Sequence, residues 1–176
     1  EDELDDITAS VLMLEEDSGR LRHGAAPGLP QAYLDLIDGR SIGPRNGSCG
    51  TAAWRRAPVM VSDVLNDPLW EDYRELALRF GFRSCWSTPI MGAEGNVLGT
   101  FALYSDSVRE PTEMERELTA MATDIAGIAI ERARYEERIH HIAHHDPLTG
   151  LPNRTLFWAQ FSGVLATARR EARSIT

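Results

Sequence analysis

Lysine is absent from this chain, and all 18 basic residues are arginine. A phosphate-binding loop closed by Gly-Lys-Ser/Thr therefore cannot be formed, and neither can a Schiff-base lysine. Cysteine is scarce. Cys49 and Cys85 are the only two, too few for a disulfide framework, so a reducing cytoplasm is the expected compartment. No apolar run approaches the ~20 residues of a membrane helix. No signal peptide heads the sequence, which starts on Glu1. Positive charge is also short. The 18 arginines face 27 acidic residues, for a net charge of −9, so no nucleic-acid partner is expected. At 176 residues there is room for one domain and the beginning of another. The acidic start, Glu1-Asp2-Glu3, reads as a piece cut from something longer.

What is present is punctuated clearly. Residues 8–15 read as a buried strand ended by Asp17-Ser18-Gly19, with Arg20–His23 returning as a hairpin. From Gly24 to Gly50 the chain is rich in Gly and Pro, with one helical patch at Gln31–Ile37. Such long irregular stretches are often binding loops. Val59-Met60-Val61 reads as a further short strand. Asp67 caps a helix that starts on Pro68, carries Leu69, Tyr73, Leu76 and Phe80 on one face, and stops at Gly81. Residues 83–91 and 97–104 form a strand pair across Gly92–Asn96. Locally paired strands with inserted helices predict an α+β fold with a central antiparallel sheet flanked by helices.

The last third is helical. Thr112 and Glu115 form a capping box. From there, Leu118, Met121, Ile125, Ile128, Arg132, Tyr135, Ile139 and Ile142 recur at steps of three and four until Pro147 ends the run. This is a heptad-like seam. A helix over 112–145 would be about 50 Å long, more than one small domain can cover. Either its distal half is a solvated linker, or it pairs with the same helix of a second copy.

Two segments carry a family resemblance. Asp146-Pro147-Leu148-Thr149-Gly150-Leu151-Pro152-Asn153-Arg154, preceded by Ile142-Ala143-His144-His145, resembles the opening of the GGDEF domain of bacterial diguanylate cyclases. Asn153 can cap the helix that follows, whose apolar face is Leu156, Phe157, Phe161, Val164 and Leu165. Gly47–Ala53, Val61–Val64, Arg83–Ile90 and Leu98–Ala102 look like parts of a GAF domain. The resemblance implies a GAF sensory domain over 1–138 with its C-terminal output helix at about 112–138. A helical linker would follow over 139–145, then the N-terminal part of a GGDEF domain over 146–176. It implies a sensory module controlling the condensation of GTP into cyclic di-GMP. The Gly-Gly-Asp/Glu-Glu-Phe turn is not in these 176 residues, so the segment itself is expected to catalyse nothing. GTP and Mg2+ would serve only the cyclase part, and the GAF ligand stays unnamed.

Candidate ligand contacts in the implied cavity are Cys49, Trp54, Trp70, Tyr73, Cys85 and Trp86. Cys85 and Trp86 must point to opposite faces if both sit in a regular strand. The cysteines are inert core residues, or a redox pair in a thiol-dependent reductase on a GAF scaffold, as in the free methionine sulfoxide reductases. A ligand-free dimerisation module is the other alternative. His140/His144 and His141/His145 stand at metal-gripping spacing, yet no Cys or carboxylate joins them on the seam, so no metal is expected. His23 is a remote haem-ligand candidate. The expected partners are a small-molecule ligand and a second copy of the chain, with no membrane in this segment.

Overall fold

The computed structural model describes residues 7–158, 161, 162 and 167. Two compact units divide the chain, Glu1–Ile130 and Glu131–Thr176.

The first unit is built on β1 (Ile7–Glu15), β2 (Arg20–Ala25), β3 (Arg40–Ser41), β4 (Val59–Val61), β5 (Ser84–Met91) and β6 (Val97–Ser105). These form one sheet in the order β3-β2-β1-β6-β5-β4, with every neighbouring pair antiparallel. Two local hairpins, β1–β2 and β5–β6, supply most of it. The longest-range joint is β1 on β6, from Ile7 opposite Ser105 to Met13 opposite Gly99. At that joint the strands come very close. A Cβ on Gly99 would lie 2.2 Å from the Leu12 carbonyl oxygen.

Helices α1 (Gln31–Ile37), α2 (Gly47–Arg55) and α3 (Arg74–Phe80) share a core with the sheet. Tyr33, Leu34 and Ile37 of α1, Ala52 and Ala53 of α2, and Ala77 of α3 bury against Leu12, Leu21, Val61, Cys85, Ala102 and Tyr104. The helix expected from Pro68 to Phe80 is two pieces. A 3-10 turn, Pro68–Tyr73, is capped by Asp67, whose carboxylate accepts from the Leu69 N–H at 2.8 Å, and α3 follows. Gly81 ends α3 with φ of 80°, as its position predicted.

The long helix, α4, runs Glu113–His144. Its capping box is reciprocal: Thr112 N–H donates to Glu115 Oε2 at 2.7 Å, and Glu115 N–H donates to Thr112 Oγ1 at 3.3 Å. Within the first unit its buried stripe is Glu115, Thr119, Thr123 and Gly127, one residue per turn. Gly127 lets the helix backbone onto the sheet, because a Cβ there would stand 2.7 Å from the Met91 carbonyl oxygen. The apolar residues of the heptad spacing lie elsewhere on the helix. Leu118, Met121, Ile125, Ile128, Tyr135, Ile139 and Ile142 are all exposed, from 45% at Leu118 to 71% at Tyr135. Small and polar residues, not the large apolar ones, therefore seat α4.

In the second unit, the Asp146–Arg154 segment is a tightly bonded turn. Asp146 Oδ1 accepts from the Leu148 and Thr149 N–H groups and from Thr149 Oγ1, at 3.1, 2.9 and 2.9 Å. These bonds, the Thr149 N–H first, hold the Asp146 carboxyl below its ordinary pKa. Asn153 Nδ2 donates to the Ala143 carbonyl at 2.6 Å, and its Oδ1 accepts from the Leu156 N–H at 3.1 Å, the expected cap. Val164 and Leu165 lie outside the described residues. Among the described residues, no helix is long and apolar enough to cross a membrane.

Candidate functional site

A cleft opens in the first unit between α1, the N-terminal turns of α2, the 3-10 turn and β6. Its shape starts with the β3–α2 connection. Asn46 Nδ2 donates to the Ser41 carbonyl at 2.8 Å, and the Asn46 N–H donates to Thr51 Oγ1 at 3.2 Å. Gly50 allows this turn to close, since a Cβ there would meet Asn46 Cβ at 2.8 Å. Gly47 starts α2 at φ 61° under the ring of Tyr73.

Ser48 is the joint of the site. Its Oγ donates to the Cys85 carbonyl at 3.0 Å and accepts from Trp70 Nε1 at 2.9 Å. One buried hydroxyl thus connects α2, β5 and the 3-10 turn. The next residue, Cys49, lines the cleft with its Sγ 3.9 Å from Tyr104 Oη, which in turn accepts from Ser10 Oγ at 3.3 Å. Tyr33 closes the inner wall edge-on to Tyr104, ring centroids 5.8 Å apart. At the mouth, the Arg40 guanidinium lies over the Tyr73 ring, 5.5 Å from its centroid. The cavity volume is about 40 Å³, room for a few waters.

The electrostatics centre on the two thiols. Hydrogen bonding from Cys85 is the main influence lowering the Cys49 pKa to about 7, against burial, with help from Ser87, Tyr104 and Thr100. Burial pushes the Cys85 thiol well up, and its neighbour Cys49 adds to that. Burial likewise raises Tyr33, Tyr104 and Tyr73 above the ordinary phenol value, Arg40 working the other way on Tyr73. At neutral pH the cleft therefore holds one partly ionised sulfur among neutral phenols. Such a group can act as a nucleophile or accept strong hydrogen bonds from a ligand.

Of the residues expected here, Cys49, Trp70 and Tyr73 line the cleft, and Cys85 is fully buried behind Cys49. Two expectations need correction. Trp54 is 52% exposed and borders a shallow groove with Leu14 and Asn96, because the residues of α2 that face the core are Ala52 and Ala53. Trp86 lies on the α4 side of the sheet, its ring under the Arg109 guanidinium at 4.6 Å. Strand alternation, which puts Cys85 on the cleft side, accounts for this. Tyr33, Arg40, Asn46, Ser48 and Tyr104 were missed as contributors. A same-face pairing of Tyr104 with Cys85 was available from the strand pattern, whereas Arg40 and Asn46 sit in the irregular stretch and gave no signal.

His140 and His144 stack on each other, as do His141 and His145, and Nδ1 of His144 and of His145 lies 2.8 and 3.3 Å from the carbonyl one turn back. No group of three or more potential ligands occurs among the described residues. His23 is exposed on β2 and does not line the cleft.

The family model described as GAF domain matches residues 4–130. A protein of Methanosarcina acetivorans named methyl sulfide methyltransferase-associated sensor is 36% identical over 128 residues, which is 73% of this chain. The chain spans only 13% of that relative's length. Among solved structures, a domain of a two-component sensor histidine kinase protein from Sinorhizobium meliloti is 25% identical. It superposes with a TM-score of 0.60, covering 76% of this chain and 84% of that one. A GAF domain from a Coxiella burnetii phosphoenolpyruvate-protein phosphotransferase has a TM-score of 0.64 at 19% identity, covering 76% of each chain. A free methionine-R-sulfoxide reductase from Thermoplasma acidophilum has a TM-score of 0.57 at 20% identity, covering 72% of this chain and 79% of that one.

Proposed function

From the premise that this chain belongs to the GAF domain family, we propose that it is the sensory module of a bacterial diguanylate cyclase. In this reading a signal received in the cleft is passed through α4 to a C-terminal GGDEF domain. The observation that carries the output assignment is the Asp146–Arg154 segment, whose side chains close a turn directly after α4. Two such cyclase domains would each hold one GTP with Mg2+, and the product would be cyclic di-GMP. The cytoplasm is the compartment this reading requires.

Transmission is supported by the exposed spacing on α4. Seven large residues at steps of three and four face solvent in the single chain, a pattern suited to knobs-into-holes pairing with a second copy. Arg132, the one charge on that seam, is held by Glu136 one turn on at 2.8 Å. A ligand that prefers one arrangement of two such helices need supply only a few kcal/mol to shift the population. Sedimentation at micromolar concentration should give a dimer for the wild-type chain. Ile125→Asp or Ile139→Asp should shift it toward monomer by at least tenfold in dissociation constant. A wild-type monomer would remove the helix-pairing mechanism.

The output domain has a direct test. The reading frame past Thr176 should encode the Gly-Gly-Asp/Glu-Glu-Phe turn, and the longer protein should convert GTP to cyclic di-GMP. A continuation of different chemistry would end the cyclase reading and leave the sensory one.

A second reading, a thiol-dependent reductase, has Cys49 in its favour. It predicts turnover of free methionine sulfoxide that is lost in Cys49→Ser. A cavity of about 40 Å³ weighs against a substrate of that size.

A further inference from the structure

The sulfur of Cys49 sits among a second thiol, a phenol and two buried hydroxyls. Cys85 and Tyr104 stand directly opposite each other across β5 and β6, so their side chains leave the same face of the sheet. Cys49 Sγ lies 3.9 Å from Tyr104 Oη, and the hydroxyl of its neighbour Ser48 is bonded to the Cys85 carbonyl at 3.0 Å. α2 therefore holds Cys49 over the strand position of Cys85. Ser87, two residues further along β5, and Thr100 on β6 are fully buried, and the Cys49 sulfur is the one group their hydroxyls act on, short of full hydrogen-bond geometry. A buried hydroxyl short of a full hydrogen bond needs an explanation. An ionised sulfur at position 49 supplies one, because it would draw a hydrogen bond from each.

We propose that Cys49 is a hydroperoxide-reactive thiol and that Cys85 resolves its oxidised form into an internal disulfide. In the first step the Cys49 sulfur attacks the distal oxygen of a hydroperoxide, ROOH. The O–O bond breaks, the thiol proton ends on the leaving oxygen as ROH, and Cys49 becomes a sulfenic acid. In the second, the Cys85 sulfur attacks the Cys49 sulfur. The S–O bond breaks, and the hydroxyl leaves as water with the Cys85 proton. The two sulfurs lose two electrons together and the peroxide gains them.

The division of labour follows from the surroundings. Cys49 lines the cleft and is the more acidic thiol, whereas Cys85 is fully buried and kept protonated until a sulfenic acid forms beside it. The other titratable or charged groups facing Cys49 are Tyr104 on β6, Tyr33 on α1, Tyr73 on the 3-10 turn and Arg40 at the mouth. The three phenols are raised by burial and stay neutral, so the pH profile of the reaction is that of Cys49. The cavity, about 40 Å³, accepts a molecule of two heavy atoms such as hydrogen peroxide. This inference stands apart from the cyclase reading, because it needs no domain beyond the first unit.

The test uses the purified, reduced chain and hydrogen peroxide near stoichiometry. Both thiols should disappear together, the intact mass should fall by two hydrogens, and a protease digest should yield one peptide pair linked through Cys49 and Cys85. The rate should rise with pH about a midpoint near 7. In Cys85→Ala the mass should instead rise by one oxygen, at a Cys49 sulfenic acid that dimedone traps. In Cys49→Ser, Cys85 should survive peroxide and be alkylated after unfolding. Two free thiols after peroxide treatment of the wild type would overturn the proposal. So would equal oxidation of Cys85 with and without Cys49. Oxidation by free methionine sulfoxide but not by peroxide would overturn it in favour of the reductase. Disulfide mapping in the wild type needs no variant, so a variant that misfolds leaves the test intact.

Discussion

Gly99→Ala is expected to destabilise the sheet unit by about 3 kcal/mol or more, among the larger single-residue effects. The added methyl would be driven to 2.2 Å from the Leu12 carbonyl oxygen and 3.2 Å from Met13 Cα, all backbone atoms with no rotamer to yield. Relief would require β1 and β6 to separate. That pair is the longest-range joint of the sheet, holding β3-β2-β1 to β6-β5-β4. Urea unfolding followed by circular dichroism should show a lower midpoint. A midpoint within about 0.5 kcal/mol of wild type, the range of neutral surface changes, would mean that the strands adapt and that the joint is softer than its geometry implies.

Glu115→Ala is expected to cost about 3 kcal/mol, the range for breaking a buried ion pair by removing one partner. The Glu115 side chain is only 6% exposed. It receives two nitrogens of Arg109, at 2.9 and 2.7 Å, and the Thr112 N–H at 2.7 Å. Truncation removes the start of α4 and the grip on the guanidinium that covers Trp86. Glu115→Gln, which keeps an acceptor for the Thr112 N–H, should cost less. The pH dependence has a definite sign. Hydrogen bonding from Arg109 first, then from Thr112, holds the folded-state pKa below its unfolded value. The stabilisation is therefore complete above the unfolded carboxyl pKa of about 4.3 and is lost as pH falls through the lower folded value. The gap between wild type and Glu115→Gln should accordingly narrow in acid, and a gap that widened there would contradict the assignment.

Much of this fold was legible because its signals are local. Asp67, Gly81, Thr112 and Glu115 marked element ends by their own chemistry, and each does so in the structure. Alternation along β5 separated Cys85 from Trp86 without any tertiary information. α2 was illegible for an equally physical reason. Gly47-Ser48-Cys49-Gly50 has poor helix propensity, and what makes it helical is packing on β5 and the Ser48 bonds, which no local pattern encodes. The seat of α4 was hidden similarly. An apolar seam draws attention, whereas the buried stripe of Glu115, Thr119, Thr123 and Gly127 is defined by smallness and by one ion pair. For the cleft, residue type suggested Cys49, Trp70 and Tyr73. Only the path of the chain between β2 and α2 brings Tyr33, Arg40 and Asn46 to the same place.

The shared hydroxyl of Ser48 sets a limit on how this domain can diversify. Trp70 Nε1 and the Cys85 carbonyl both depend on it, so replacing the serine strands a donor on one element and an acceptor on another. Losing the indole at position 70 leaves the Ser48 hydroxyl its bond to the Cys85 carbonyl, whereas losing the hydroxyl removes a partner from both. A substitution at position 48 is thus penalised twice, while Tyr73 and Arg40 at the mouth meet through ring and charge alone. Descendants of this sequence can retune what the cleft admits from its rim, one residue at a time, and must leave its inner hinge as they inherited it.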